Sequence, residues 1–155
     1  MLQSTDIRMR KAGIWDIDEL EDIERKCFSY GRFSRTILLG FLRHPFSVTI
    51  VVEREMILAS AILIFHTRTA EIASIAVLPE ERRKGLGNML LQEAETMSRR
   101  KGIVKLSLHV AIENSGAIGL YRKNGYSITE TVKDYYGAGR DAFYMEREMG
   151  PPPSL

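Results

Sequence analysis

Arg82-Arg83-Lys84-Gly85-Leu86-Gly87 sets three cations against a turn that holds two glycines. Ahead of it runs a β-like segment, Glu71 to Val77, closed by Leu78-Pro79, and after it Leu90, Leu91, Ala94, Met97 and Ser98 recur at helical spacing. A strand, a basic glycine turn and a helix start together make an anion site. Amide N–H groups converge there, the helix dipole favours negative charge, and glycine lets a phosphate approach the main chain. A tight strand-to-helix turn with a solvated basic face is the plainer alternative. His109 stands on the polar side of an alternation in which Val104, Leu106, Leu108 and Val110 form the apolar side. An imidazole titrates near neutrality, so it could take up a proton; a surface histidine would look the same. Tyr121 falls one helical turn after Ile118 and could donate a proton or fill a core. Tyr135-Tyr136 offers apolar walls with hydrogen-bonding tips, or hairpin packing.

Other phosphate motifs fit less well. A Walker loop needs Gly-Lys-Ser/Thr entering the helix, whereas Asn88 and Met89 follow Gly87. A dinucleotide fingerprint needs a third glycine where Leu90 stands, and a strand that runs straight into the first.

The elements that must hold these residues read as an interleaved α/β or α+β chain. A short strand near Ile7–Lys11 leads to a helix for which Asp16 and Glu19 have the spacing of a capping box, with Ile17, Leu20 and Ile23 on one face. Ser34 can cap a second helix bearing Ile37, Leu38, Phe41 and Leu42. A hairpin-like block follows, Val48 to Glu53 and Met56 to His66, and then the strand Glu71 to Val77. The anion-site helix is expected from Asn88 to Arg100, with Gly102 as its stop. Asn114-Ser115 opens a short helix ended by Asn124-Gly125, and two last strands are expected near Tyr126–Lys133 and Ala142–Met149. Residues 1–149 read as one domain; the tail 150–155, rich in proline, is expected to be disordered.

Of 155 residues, 45% are hydrophobic and 27% charged, with a net charge of +2. Such a charge is too small to point to nucleic acid. The apolar run Met56 to Phe65 is too short to span a bilayer. The single cysteine, Cys27, excludes an internal disulfide and fits a reducing, cytoplasmic setting; its place near Ile23 suits the core better than a nucleophile's role.

The spacing Arg-x-x-Gly-x-Gly after Val-x-Pro resembles the pyrophosphate-binding signature of the GNAT superfamily of acyl-CoA-dependent N-acetyltransferases. The stretch from Asn114 to Tyr126 is similar to the family's N-x-x-A-x-x-L/F-Y-x-K-x-G-F/Y segment. From Glu71 to Met149, about half the chain, the resemblance is nearly continuous, and it is strongest to the RimI-like and N-alpha-acetyltransferase catalytic-subunit group. It implies a mixed, mostly antiparallel twisted sheet of about seven strands with about four helices, splayed at the cofactor site. It also implies acetyl-CoA as cosubstrate, no metal, and the N-terminal amine of a protein or peptide as acceptor.

The resemblance gives the residues roles as well. Arg82, Arg83, Lys84, Gly85, Leu86, Gly87 and Asn88 would hold the pyrophosphate. Main-chain groups of Ile75, Ala76 and Val77 would hold the pantetheine arm and an oxyanion, and Asn114 would add a hydrogen bond or act as a helix cap. An α-amine, with a pKa of roughly 8, must shed a proton before attack. His109 matches the family's base position, and Glu71 lies where relatives place another proton-handling residue; either could be the base. Tyr121 would protonate or hydrogen-bond the departing thiolate, and Tyr121 also counts as a cofactor contact. Tyr135 and Tyr136 would hold the first backbone groups of the acceptor, with Phe28 as the opposite wall. Ser29 follows Phe28 where relatives usually have proline, which leaves the preference for the first acceptor residue open. Attack would be direct, in a ternary complex, since no cysteine is placed to carry the acetyl group. Lysine or small-molecule acceptors, and a non-catalytic CoA-binding subunit, are the alternatives. A ribosomal or auxiliary partner is left open, and the chain is expected to be a monomer or weak dimer.

Overall fold

The computed structural model describes residues 6–150. Within them lie seven strands and four α-helices: β1 (Arg8–Lys11), α1 (Ile17–Cys27), α2 (Arg35–Arg43), β2 (Ser47–Arg54), β3 (Met56–Phe65), β4 (Thr69–Val77), α3 (Leu86–Arg100), β5 (Lys105–Ala111), α4 (Ser115–Lys123), β6 (Ser127–Val132) and β7 (Ala142–Glu148). The strands form one sheet in the order β1-β2-β3-β4-β5-β7-β6. β4 and β5 run parallel, Thr69 opposite Lys105 through Ile72 opposite Leu108. The pairs β1–β2, β5–β7 and β6–β7 are antiparallel. This is the mixed α/β architecture the sequence implied. The expected tail beyond Gly150 lies outside the described residues.

Main-chain contacts gather into two compact units. The first holds the described residues through Leu63 together with Ser74–Leu90; the second holds Ile64–Ala73 and the described residues from Leu91 onward.

In the first unit, α1 buries Ile17, Leu20 and Ile23 at 3–4 residue spacing, each worth about 1.5–3 kcal/mol of transfer free energy when fully removed from water. Glu24 shares that buried stripe, and a carboxylate there needs partners. β2 and β3 supply the deepest apolar surface, including Val51, Val52, Ile57 and Leu63. The turn between them puts Glu55 at a φ of 66°. At α2, Ser34 Oγ accepts from the Ile37 N–H at 3.3 Å, as the sequence predicts. The expected capping box at α1 does not form. Asp16 makes no side-chain cap bond to the helix. Its carboxylate takes two bonds from the Arg10 guanidinium, each 2.9 Å, and one from the Gly13 N–H at 2.9 Å. Glu19 reaches away to accept from the Ile57 N–H at 2.8 Å. The half-buried Arg10 guanidinium outcompetes the helix-start amides for this carboxylate, because the bidentate charged pair is stronger.

In the second unit, β5 buries Leu106, Leu108 and Val110 and turns Lys105, Ser107 and His109 to the other face. β7 pairs along the whole of β5, with His109 opposite Tyr144. Asn114 Oδ1 caps α4 through the Ala117 N–H at 3.2 Å. The helix closes at Asn124, and Gly125 takes a φ of 92° where a side chain would be strained.

Candidate active site

The anion loop belongs to the first unit. β4 leaves the sheet at Val77, a 3-10 turn (Pro79–Glu81) follows, and α3 begins at Leu86, two residues before the sequence suggested. The Met89 N–H to the Gly85 carbonyl, 3.1 Å, is the first bond of the helical ladder. The amides of residues 86–88 therefore stand ahead of that ladder, at the positive end of the dipole. Two residues of the loop take left-handed backbone, Arg83 at φ 63° and Gly85 at φ 87°. A Cβ built on Gly85 would meet nothing within 4 Å, so the space above this amide is open. A diphosphate fits such a cradle: open space, a glycine that permits close approach, and helix-start amides.

The basic side chains divide their work. Arg82 Nε donates to the Val77 carbonyl at 3.0 Å, which fixes the loop to the end of β4. Lys84 Nζ lies 3.4 Å from Glu81 Oε1, and Arg54 reaches the same oxygen at 3.5 Å. Arg83 is exposed. Cys27, the last residue of α1, donates its thiol to the Val77 carbonyl at 3.3 Å; burial pushes the thiol pKa up, with Arg82 opposing. A protonated thiol spent on a carbonyl is no nucleophile.

Ile75 and Val77 are half-buried and Ala76 is buried, along the same strand. Phe28 directly follows α1, half-buried, its N–H bonded to the Glu24 carbonyl at 3.0 Å.

The second unit holds the residues that the sequence reading singles out for proton transfer. The His109 imidazole lies flat on the Tyr135 ring, with centroids 4.1 Å apart and planes 7° from parallel. Tyr136 meets Tyr135 edge-on at 4.8 Å. Tyr144, which no pattern in the sequence singles out, tilts against His109 at 5.0 Å. Burial holds the His109 pKa below its ordinary value, while the charges of Glu71 and Glu130 pull it upward. Glu71 reaches this cluster because it lies opposite Ser107 in the parallel register, one pleat from His109.

A braced turn presents Tyr135. The Asp134 N–H donates to Asp141 Oδ1 at 2.9 Å, and Asp134 Oδ1 accepts from the Gly139 N–H at 2.7 Å. The Tyr136 N–H and the Arg140 carbonyl close the turn at 3.0 Å. Asp134 and Asp141 brace this turn, and sequence reading did not single them out, although an Asp at each end of a Gly-x-Gly turn is a legible signal.

Tyr121, on α4, is 7% exposed, and its ring meets Tyr126 at 6.0 Å. Burial raises its pKa well above the ordinary phenol value, with the nearby Tyr136 adding to the shift. The group stays protonated through the physiological range, so it has a proton to give there. The Tyr126 hydroxyl is buried without a hydrogen-bond partner. Asn114 spends its side-chain oxygen on the α4 cap, leaving its amide nitrogen as the donor. Among the described residues no cluster of His, Cys, Asp and Glu suits a metal ion, and no helix is long and apolar enough to cross a membrane.

Known proteins resemble this chain in sequence and in fold. Residues 17–126 match the Acetyltransferase (GNAT) family. Over 143 residues, 91% of this chain and 95% of the relative, the chain is 32% identical to a Bacillus subtilis (strain 168) protein named "Putative ribosomal protein bS18-alanine N-acetyltransferase". An N-alpha-acetyltransferase of Saccharolobus solfataricus is 36% identical over 83 residues, 53% of this chain and 50% of that protein. The crystal structure of PaiA N-acetyltransferase from Thermoplasma acidophilum in complex with coenzyme A superposes with a TM-score of 0.80 at 24% identity, covering 93% of this chain and 99% of that one. The loop, the sheet order and these matches agree: the chain belongs to the GNAT family of acetyltransferases.

Proposed function

We propose that this acetyltransferase moves an acetyl group from acetyl-CoA to the N-terminal α-amine of a protein or peptide. The observation that carries the acceptor assignment is the stack of His109 on Tyr135, with Tyr136 at its edge, because it joins a proton acceptor to a pair of phenols suited to a peptide's first backbone groups. The N-alpha-acetyltransferases and the bS18-alanine relative named above support the same acceptor. Bound acetyl-CoA supplies a thioester carbonyl as electrophile and a thiol as leaving group.

In this reading the loop from Arg82 to Asn88 binds the diphosphate through main-chain amides and positive charge. Main-chain groups of Ile75, Ala76 and Val77 hold the arm, and one amide near Val77 stabilises developing negative charge. Asn114 adds a hydrogen bond from its amide nitrogen. The His109 imidazole, neutral because burial disfavours its cation, accepts the proton of the α-ammonium; Glu71 orients it or a water beside it. Tyr121 Oη gives its proton to the departing sulfur. No metal is required by any of these roles. Phe28 contributes an apolar acceptor wall. Residues 1–149 are read as one catalytic domain, since the family match runs through both compact units. The unpaired thiol of Cys27 supports a cytoplasmic setting.

Acetyl transfer measured across peptides that differ in residue one tests the proposal. N-blocked peptides, a lysine-only peptide and a polyamine serve as controls. Transfer confined to free N-termini is expected. Equal or faster transfer to the lysine or polyamine controls would move the acceptor to a side-chain or small-molecule amine.

A further inference from the structure

Glu24, like Asp16, is a buried carboxylate of the first unit for which the proposed chemistry has no use. Its side chain is 3% exposed, on the same stripe of α1 as Leu20. Oε1 accepts from the Phe33 N–H at 2.9 Å, and Oε2 accepts from the Ser74 hydroxyl at 2.9 Å. Its own carbonyl accepts from the Phe28 N–H at 3.0 Å. One residue therefore ties down both ends of the loop between Phe28 and Phe33, and ties that loop to β4 through Ser74.

We infer that Glu24 is a positioning residue for the acceptor: by holding the 28–33 loop at both ends and fastening it to Ser74, it sets where Phe28 stands relative to the β4 backbone. The inference rests on the acetyltransferase reading above and deepens it. Ser74 immediately precedes Ile75, and Cys27, one turn beyond Glu24, fastens the end of α1 to the Val77 carbonyl. The last turn of α1 thus meets β4 at two points three residues apart along the strand, Ser74 just ahead of the groups assigned to the cofactor arm and Val77 as the last of them. A carboxylate so enclosed carries a desolvation cost that an apolar residue at this helical phase would avoid, and burial pushes its pKa up despite both hydrogen bonds. A leucine would satisfy the stripe but could accept from neither the amide nor the hydroxyl. The Phe33 amide would then lose its partner, and the loop would lose its fixed exit.

The test compares wild type with Glu24→Ala, Glu24→Gln and Ser74→Ala, each checked for cooperative melting. Glutamine keeps an acceptor oxygen for Phe33 and an amide that can donate to Ser74 Oγ. Steady-state kinetics at saturating acetyl-CoA should show the acceptor KM of Glu24→Ala raised on the order of tenfold, with kcat within about threefold and acetyl-CoA affinity unchanged. Glu24→Gln should restore most of the loss, and Ser74→Ala should show a smaller rise of the same kind. Hydrogen exchange at the Phe33 amide should quicken in Glu24→Ala and recover in Glu24→Gln. An unchanged acceptor KM in folded Glu24→Ala, or in Ser74→Ala if the alanine variant fails to fold, overturns the inference. So does a fall in kcat and acetyl-CoA affinity without a KM effect. If wild type transfers acetyl only to lysine or polyamine, the peptide reading fails; the same KM comparison, run with that acceptor, then decides the role of Glu24.

Discussion

The imidazole of His109 and the phenol ring of Tyr135 are stacked within 7° of parallel, 4.1 Å apart, on residues 26 positions distant in the chain. The stack covers the group assigned to accept the acceptor's proton, and covering it favours the neutral ring. Neutral imidazole is the competent form, so activity should rise with pH through a value below the ordinary histidine pKa of about 6.5 and then level. Tyr135→Ala uncovers the ring, lets Glu71 and Glu130 act on it in water, and should move the acid limb of kcat/KM to higher pH. His109→Ala should abolish that limb. If the limb survives in His109→Ala and disappears in Glu71→Gln, the base is Glu71.

Tyr121→Phe removes one hydroxyl from a buried ring and leaves the packing against Tyr126 intact. A lost general acid costs roughly a hundredfold or more in kcat, whereas a core aromatic would show almost no kinetic change. Single-turnover rates with the phenylalanine variant, set beside its acetyl-CoA affinity by calorimetry, separate these outcomes. Affinity is expected to stay within about threefold of wild type.

Gly85→Ala tests the loop without adding a clash, because the space around the new methyl is empty. The backbone there is left-handed at φ 87°, and holding alanine in that region costs about 1–2 kcal/mol. The expected result is a roughly tenfold loss of CoA affinity, read by calorimetry on a variant whose melting temperature falls only modestly. Arg82→Ala, which releases the Val77 carbonyl, should weaken CoA binding and also flatten its dependence on salt.

Acid stability should depend on Asp16. The Arg10 guanidinium holds its carboxyl below the ordinary range, so the stabilisation is present above the unfolded value of about 4 and is lost as pH falls through the lower folded value. Arg10→Met leaves a buried carboxylate with only the Gly13 amide and should cost about 2–3 kcal/mol at neutral pH. It should also raise the midpoint of acid unfolding. Glu24 has the opposite sign: burial raises its folded pKa, so ionising it opposes folding above about pH 4, and Glu24→Gln should flatten that part of the stability–pH curve. Chemical denaturation at a series of pH values reads both.

Periodicity and turn chemistry carried most of the fold into view. The alternation of β5 put His109 on the face opposite Leu106, Leu108 and Val110, the Ser34 and Asn114 caps form as their spacing requires, and a helix starts within the loop of Arg82 to Gly87. Boundaries drifted where tertiary bonds decide them: α3 begins at Leu86 because the Gly85 carbonyl already enters the ladder. The Asp16–Glu19 box failed because both carboxylates found partners remote from the helix end, at Arg10 and Ile57. Glu24 was the hardest to see. In Glu24-Arg25-Lys26 it reads as one more surface charge, and only its phase four residues after Leu20, or knowledge of Ser74 fifty positions away, marks it as buried. Tyr144 was hidden for a similar reason, since it faces His109 only through the β5–β7 register.

Arg83 holds left-handed backbone with a full side chain, two positions before the glycine that shares that geometry. The curvature of the loop is thus not written in its glycines alone. An engineer who grafts only the Gly-x-Gly pair onto a foreign turn would reproduce the signature and miss the bend. The graft must also place glycine, asparagine or aspartate at the position of Arg83, and must keep β-branched residues out of it.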